Sequence, residues 1–451
     1  MTRILKMDKA FYKKALVIAL PIVIQNFITS SLNIVDTMMI GKLGENEIAA
    51  VGIANQYFFL LNILIMGLFS GIGIFISQYF GKKDDKNIKK LVGIGLIAAI
   101  VVGGIFTLIA QVAPEGIISI FNKDGQVVKL GAEYLVIVSI SYIFTAITFN
   151  YGIASRCIEK TAVPMVASSI ALITNTVLNY GLIFGNFGMP KLGVEGAAIA
   201  TLIARVIEFI IMVGYVYYSK NMLAANAKEL FSFDFSFAKR IWITILPVLL
   251  NEACWGLGSV MYNVIYGRIG TQAIASVQIA TTINNLFMVV IFGIGNAALV
   301  MVGSKVGKGE YDKAKEYGKN FLVIGTVIGI IIAVSLSLSA NAVVSIYDVS
   351  EQVKVWSKLI LYVTSLVMIV RVYNIITIVG VLRGGGDVKV SFLIEGITMW
   401  CIGVPLALVG AFVFNLPVYL VYALCTFEEI TKAVACFKRM RSNKWIKNLV
   451  A

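Results

Sequence analysis

Residues 41–54 of the chain read GKLGENEIAAVGIA, and residues 267–280 read GRIGTQAIASVQIA. The two stretches are 226 residues apart and belong to a longer correspondence, without a gap, between residues 20–82 and 246–308. Aligned leucines, isoleucines and valines count for little, so the evidence lies in the matched prolines and glycines: Pro21/Pro247, Gly41/Gly267, Gly44/Gly270, Gly67/Gly293 and Gly81/Gly307. An internal repeat of this length predicts two equivalent halves.

The composition of the 451-residue chain is that of a membrane protein. Hydrophobic residues make up 59% and charged residues 14%, whereas about 25% of the residues of a soluble globular protein are charged. Roughly 20 residues of α-helix cross the hydrocarbon core of a bilayer. We therefore expect twelve transmembrane helices, in the apolar runs 15–40, 48–79, 91–112, 130–155, 162–186, 194–219, 240–266, 273–304, 317–340, 356–382, 389–414 and 416–437. The second and eighth runs exceed the length that a bilayer requires, which predicts a tilt or a kink.

The basic residues lie on alternate loops of this predicted topology. The net charge is +14, and most of the lysines and arginines fall in one set of loops, which includes both termini. The positive-inside rule places that set in the cytoplasm. Membrane topology therefore explains the charge, and we expect no nucleic-acid partner.

Six helices per half return the chain to the side on which it started, so both halves have the same orientation. We predict an all-α membrane protein with twelve transmembrane helices in two six-helix bundles, related by a pseudo-two-fold axis along the membrane normal. The predicted bounds are 1–220 for the first bundle, 221–239 for a cytoplasmic linker, and 240–451 for the second bundle with its basic cytoplasmic tail. A cleft in such an architecture suits a transporter that works by alternating access.

The chain contains no histidine, the side chain that most often transfers protons and binds metals. Any proton chemistry therefore has to use carboxylates. The five cysteines are scattered, mostly inside apolar runs, and form no C-x-x-C pattern, which favours packing over disulfide or metal roles. We expect no cofactor and no catalytic residue.

Asp36 is an ionisable residue inside the first predicted helix. It lies six residues before Lys42, about 9 Å below the outer surface, and Asn33 shares its helix face. An ionisable side chain at this depth is costly and is a functional candidate. A carboxylate in a medium of low dielectric constant favours its neutral form, so Asp36 can exchange a proton or bind Na+. The alternative is a solvated carboxylate at the membrane interface.

Glu252 lies near the predicted midplane of the membrane in the second half. Its counterpart in the repeat is Asn26, and the counterpart of Asp36 is Tyr262. The two halves therefore have different acidic sites, which suggests that they divide the work. Cation or proton binding by Glu252 and a structural ion pair are both open.

Other polar residues of the second half are candidates for lining its cavity. Arg371 lies near the middle of its run with no acidic residue within one turn. It needs a partner on another helix, and Glu252 and Glu395 are the candidates. With Asn374, these side chains make up the expected polar set of the second half.

The first half has polar pairs at helical spacing. Asn175 and Asn179 are four residues apart and share a helix face, where they can line a cavity or bond to neighbouring helices. Arg205 and Glu208 are three residues apart, the spacing of an ion pair within one helix.

The chain resembles the multidrug and toxic compound extrusion (MATE) transporters of the MOP flippase superfamily over essentially its whole length. The resemblance rests on seven motifs, which occur in this order: Asn33-Ile-Val-Asp36, Gly41-Lys-Leu-Gly44, Ile48-Ala-Ala-Val-Gly52, Ser77-Gln-Tyr-Phe-Gly-Lys82, Leu178-Asn-Tyr-Gly-Leu-Ile-Phe-Gly185, Leu192-Gly-Val-Glu-Gly-Ala-Ala-Ile-Ala-Thr201 and Leu382-Arg-Gly-Gly-Gly-Asp387. The resemblance implies a twelve-helix inner-membrane antiporter that expels amphipathic, often cationic drugs in exchange for H+ or Na+.

The resemblance also implies roles for individual residues. Asp36 matches the acidic residue of the family's first helix, which takes the coupling ion in the N-terminal half. Asn175 and Thr201 match polar residues around it. Glu252 matches a seventh-helix carboxylate that binds a cation in the NorM-like branch. The implied metal, if any, is Na+ at Asp36 or Glu252.

Two departures from the family pattern leave the coupling ion open between H+ and Na+. Asn179 stands where the DinF-like branch has a second aspartate, which argues against a two-carboxylate proton relay there. Arg371 stands about where the NorM-like branch has an aspartate, and it can instead neutralise Glu252.

Three other functions compete with drug export. A flippase for a lipid-linked precursor would favour an arginine-rich groove, and only Arg205 and Arg371 lie at mid-membrane depth. An intramembrane enzyme would need a clustered nucleophile and base or a set of metal ligands, which the sequence does not offer. A sensor descended from a transporter would normally carry a signalling domain. We expect a lipid bilayer and small amphipathic molecules as partners, and a monomer.

Overall fold

The structure is a computed structural model that describes residues 9–451, except the side chains of Leu32 and Asn33. Every regular element of this range is a helix. The helices are α1 (Lys9–Gly41), α2 (Glu45–Lys82), α3 (Asp85–Val112), α4 (Pro114–Ser119), α5 (Gly125–Ser139), α6 (Ser141–Cys157), α7 (Ala162–Phe184), α8 (Val194–Tyr218), α9 (Ala227–Leu230), α10 (Phe235–Ile269), α11 (Thr271–Gly307), α12 (Tyr311–Ser345), α13 (Glu351–Ile375), α14 (Val388–Thr398), α15 (Val404–Leu408), α16 (Val418–Cys425) and α17 (Phe427–Arg441). Three π-helical segments, Ile376–Leu382, Met399–Gly403 and Val409–Val413, extend α13, α14 and α15.

The helices account for all twelve predicted apolar runs. Between residues 9 and 451, ten continuous helices are long and apolar enough to cross a membrane, and α5 with α6 makes an eleventh, bent by 46°. The last run, 416–437, is occupied by α16 and α17, which are separated at Thr426. The protein is therefore an all-helical, multi-pass membrane protein.

The prediction of single helices at 130–155 and 416–437 is wrong, because each run contains a break. At the first break, side chains of α3 compete for carbonyl groups of the helix. Thr107 Oγ1 donates to the Ser139 carbonyl at 2.7 Å, and Gln111 Nε2 donates to the Val136 carbonyl at 2.6 Å. Inserted side-chain donors of this kind bend helices.

The described chain divides into two compact units. The N unit comprises Leu20–Ile76 and Lys83–Trp242. The C unit comprises Ile243–Ala451, the segment Ser77–Lys82 and the described residues up to Ala19. The chain passes from one unit to the other within α1, α2 and α10.

Two glycines of the repeat permit a backbone contact inside the C unit. Gly81, at the end of α2, lies against the carbonyl oxygen of Ser304, and Gly307, at the end of α11, lies against that of Gln78. A Cβ atom at either glycine would overlap the oxygen. The matched positions Gly81 and Gly307 are therefore small because the two helix ends touch there.

The last residues of the chain dock on the same part of the C unit. Trp445 is 1% exposed and packs against Gly385. Gln78 Nε2 donates to the Gly384 carbonyl at 3.2 Å. The buried carboxylate of Asp387 pairs with Arg439 and Lys447, each at 2.6 Å. The segment that follows α17 is thus an integral part of the C unit.

Candidate functional site

The N unit encloses a cavity of about 370 Å³ formed by α1, α2 and α5–α8. Asp36 enters it from α1, and Arg205 and Glu208 enter it from α8. Aromatic side chains from α2, α5 and α6 form much of the rest of its wall: Phe58, Phe59, Tyr134 and Tyr142. The cavity therefore combines a few charges with an aromatic lining, as pockets for small molecules commonly do.

The structure brings four of the predicted residues of the N-terminal half together. Asn179 Nδ2 donates to Asp36 Oδ1 at 2.6 Å and to Asn175 Oδ1 at 3.1 Å. Asn175 Nδ2 in turn donates to Thr201 Oγ1 at 3.3 Å. Both asparagines are only 1% exposed, on the α7 face that their four-residue spacing predicts. The side chain of Asn33, the remaining candidate of this half, lies outside the described residues.

Arg205 and Glu208 form the ion pair that their spacing predicts, at 2.8 Å. Ser168 Oγ donates to the other oxygen of Glu208 at 2.6 Å, and Gln25 Nε2 donates to Ser168 Oγ at 2.8 Å. Arg156 extends the network by donating to Gln25 Oε1 at 2.6 Å. Sequence reasoning missed Gln25, Ser168 and Arg156, because these contacts join four helices, α1, α6, α7 and α8.

The charges that line the cavity do not balance. Asp36 and Glu208 supply two negative charges when ionised, and Arg205 supplies one positive charge. Arg205 is bound to Glu208, and within the described residues no lysine or arginine nitrogen lies within 4 Å of Asp36. An ionised Asp36 therefore gives the cavity a net negative charge, which favours a proton, a metal cation or a cationic compound.

In the C unit, the expected pairing of Glu252 with Arg371 is wrong. Glu252 Oε1 lies 2.7 Å from a terminal nitrogen of Arg383, which also bonds to the side chain of Asn251. Arg383 follows the π-helical extension of α13 and reaches α10, whereas Arg371 contacts α17. Glu252 is therefore half of an ion pair in this structure.

Arg371, Asn374 and Glu395 meet α17 instead. Arg371 Nε lies 3.2 Å from Glu429 Oε1, and Asn374 Nδ2 donates to Glu429 Oε2 at 2.7 Å. Lys432 Nζ lies 2.8 Å from Glu395 Oε1. Glu395 is therefore not the partner of Arg371 either. Glu429 and Lys432 are not among the residues predicted from the sequence, because their contacts with Arg371, Asn374 and Glu395 cross from α17 to other helices.

The family model for MatE matches residues 21–181 and 247–409 of the chain. A probable multidrug resistance protein NorM of Thermotoga maritima is 24% identical over 439 residues, which cover 97% of this chain and 94% of that protein. The same-named protein of Pasteurella multocida is 26% identical over 406 residues, which cover 87% and 85%. Each half of the repeat thus contains one match to the family model.

Solved structures show the same fold. A MATE transporter in the bent conformation superposes with a TM-score of 0.88 at 19% identity, covering 98% of this chain and 96% of that chain. A MOP superfamily transporter of Pyrococcus furiosus, whose binding pocket is described as reversed in polarity, gives a TM-score of 0.86 at 20% identity, covering 98% and 97%. With the helices, the internal repeat and the two matched halves in agreement, the chain is a membrane transporter that belongs to the MatE family.

Proposed function

We propose that the protein is a secondary active multidrug efflux transporter. It exports amphipathic, often cationic compounds from the cytoplasm in exchange for H+ or Na+, by alternating access. Its place is a bacterial-type cytoplasmic membrane, with both termini on the cytoplasmic side. The observation that supports this most is Asp36, which faces an aromatic-lined cavity and is held by the Asn179 amide, with no lysine or arginine nitrogen of the described residues within 4 Å.

The chemistry of the cavity suits exchange at Asp36. A carboxylate far from water is unfavourable unless a proton or a cation neutralises it. Phe58 and Phe59 line the cavity with less buried rings, and aromatic ring faces attract organic cations and apolar groups. Tyr134 and Tyr142 are nearly buried behind them. A coupling ion and a cationic compound that compete for one carboxylate weaken each other's binding, and this reciprocal effect is the thermodynamic basis of antiport.

The names of the relatives support the class of substrate. Several curated relatives, including those of Thermotoga maritima and Pasteurella multocida, are named as probable multidrug resistance proteins. The cavity of about 370 Å³ lies in the range of sites for small molecules.

The lipid-precursor alternative has less support. A phosphate head group would need available guanidinium groups, but Arg205 is bound to Glu208 and Arg371 is bound to Glu429. Neither arginine is therefore free to act as a phosphate ligand without breaking an ion pair.

Transport in liposomes tests the proposal. Purified protein is reconstituted, and movement of ethidium is followed under a Na+ gradient alone and then under a pH gradient alone. We expect one of the gradients to drive ethidium, and Asp36→Asn to abolish this coupled movement. The matched control is Asp312→Asn, because the Asp312 side chain is 97% exposed and forms only a local pair with Lys315. Gradient-driven movement by a stably folded Asp36→Asn protein at the wild-type rate would contradict the proposal.

A further inference from the structure

In the C unit, a buried acid lies next to the residue that corresponds to Asp36 in the repeat. Tyr262 lies 226 residues after Asp36 and is its counterpart. Its hydroxyl donates to Glu428 Oε2 at 2.7 Å, and Glu428 is 7% exposed. The second half therefore brings a carboxyl to the equivalent residue from α17, where the first half has the carboxyl on α1.

The cations near Glu428 are each paired directly with another carboxylate. Arg371 pairs with Glu429 at 3.2 Å, and Lys432 pairs with Glu395 at 2.8 Å and also lies 4.0 Å from Glu429. Within the described part of the chain, no lysine or arginine nitrogen lies within 4 Å of Glu428. Its titratable and charged neighbours, taken helix by helix, are Tyr262 on α10, Arg371 on α13, Glu395 on α14, Cys425 on α16, and Glu429 and Lys432 on α17. Tyr266 and Tyr422 lie one contact further away, beside Cys425 and Arg371. The carboxyl groups of Glu395, Glu428 and Glu429 are thus close to only two cations, Arg371 and Lys432.

The space around Glu428 fits a proton. The backbone of Gly403, in the π-helical segment after α14, lies directly against the acid, and a Cβ atom there would overlap both Glu428 Oε2 and the Tyr262 hydroxyl. A hard metal cation needs several oxygen ligands and room for them, whereas a proton needs no added volume.

We propose that Glu428 is a proton-binding site of the C unit, which holds its proton while Tyr262 donates to the other carboxyl oxygen. The proton neutralises the third carboxyl and leaves Arg371–Glu429 and Lys432–Glu395 as balanced pairs. Protonation of Glu428 concerns the C unit alone and does not depend on which compound the protein exports. Glu428 thus meets, through Tyr262, the repeat position that corresponds to Asp36.

Infrared difference spectra between two pH values test the proposal on reconstituted protein. We expect a carbonyl band of a protonated carboxylic acid that disappears in Glu428→Gln and remains in Asp36→Asn and Glu429→Gln. Tyr262→Phe removes the hydrogen bond to the acid, and we expect it to shift the frequency of this band. The test needs no transport, so its failure is distinct from failure of the proposed export.

Thermal unfolding provides the matched control at the adjacent residue. A glutamine replaces a protonated carboxyl closely, so Glu428→Gln should leave Tm unchanged at neutral pH. Glu429→Gln leaves Arg371 without its partner and should lower Tm by about 5 °C or more. An equal loss of Tm in both variants, or a carboxylic acid band that neither Glu428→Gln nor Tyr262→Phe alters, would overturn the proposal.

Discussion

Among residues 9–451, Asp36 is held by the Asn179 amide and pairs with no lysine or arginine, and this arrangement leaves its charge available to a ligand. Glu208 in the same cavity has the opposite environment, since it is bound by Arg205 and by Ser168. Two carboxylates in one cavity therefore have different chemistry. Glu208 is a structural partner, and Asp36 is the residue that we expect to exchange ions.

Some of the side-chain contacts could be predicted from the sequence, and others could not. Helical spacing predicts the contacts of Asn175 with Asn179 and of Arg205 with Glu208, because side chains three or four residues apart share a helix face. The partner of Arg371 was not, because Glu429 reaches it from another helix. Contacts across helices depend on packing, which periodicity within one helix does not encode.

A loop carboxylate gives a prediction about pH. Lys305 and Lys313 hold the pKa of Glu310 at about 2, below its ordinary value of 4.5. Stability from these pairs is therefore present above about pH 4.5 and is lost as the pH falls towards 2. We expect the small Tm difference between wild type and Glu310→Gln to be constant at neutral pH and to shrink below pH 4.5. A difference that grows on acidification would contradict this assignment.

The breaks within the long helices could not be predicted from the sequence. The bend between α5 and α6 depends on Thr107 and Gln111 of α3, which take up carbonyl groups next to it. The short helix α9 in the predicted linker begins with a capping box between Asn226 and Glu229, and Lys89 of α3 pairs with Glu229 at 2.7 Å. The number and length of long apolar runs follow from bilayer thickness, but their breaks follow from neighbouring helices.

The contact between the ends of α2 and α11 predicts an unusual response to alanine. Alanine normally stabilises a helix over glycine by roughly 0.5–1 kcal/mol. At Gly307 its Cβ would overlap the Gln78 carbonyl, so Gly307→Ala should cost about 1–3 kcal/mol. Gly295→Ala on the same helix is the control, because its Cβ meets Val379 at 4.0 Å, an ordinary contact. Equal unfolding temperatures for the two variants would show that the helix ends do not touch.

The ion pairs that hold the docked segment after α17 give a prediction about stability. Asp387 is fully buried and pairs with Arg439 and Lys447. Removing one member of a buried charge cluster costs roughly 3–5 kcal/mol, so Asp387→Ala should lower Tm and expose the segment to trypsin. Asp312→Ala, at an exposed site, should do neither. An Asp387→Ala protein as resistant to trypsin as wild type would mean that these pairs do not hold the segment.

At the scale of the whole molecule, the repeat divides into a shared scaffold and unshared chemistry. The prolines and glycines agree between the halves, while Asp36 is opposite Tyr262 and Glu252 is opposite Asn26. The N unit places its carboxylate in a cavity, and the C unit surrounds its carboxylates with cations and Tyr262. The N-unit site was largely predictable, because its members lie on helix faces that matched a known family. The C-unit cluster was not, because Glu428, Glu429 and Lys432 of α17 meet partners on other helices, and spacing within one helix does not encode such contacts.

Competition between ethidium and the coupling ion at Asp36 is the most direct test of this account. Binding of ethidium to purified protein is measured by fluorescence, at rising Na+ at fixed pH and at falling pH without Na+. We predict that one of the two ions weakens ethidium binding to wild type and that this dependence disappears in Asp36→Asn. A folded Asp36→Asn protein with the same ion dependence as wild type would contradict the claim that exchange takes place at Asp36.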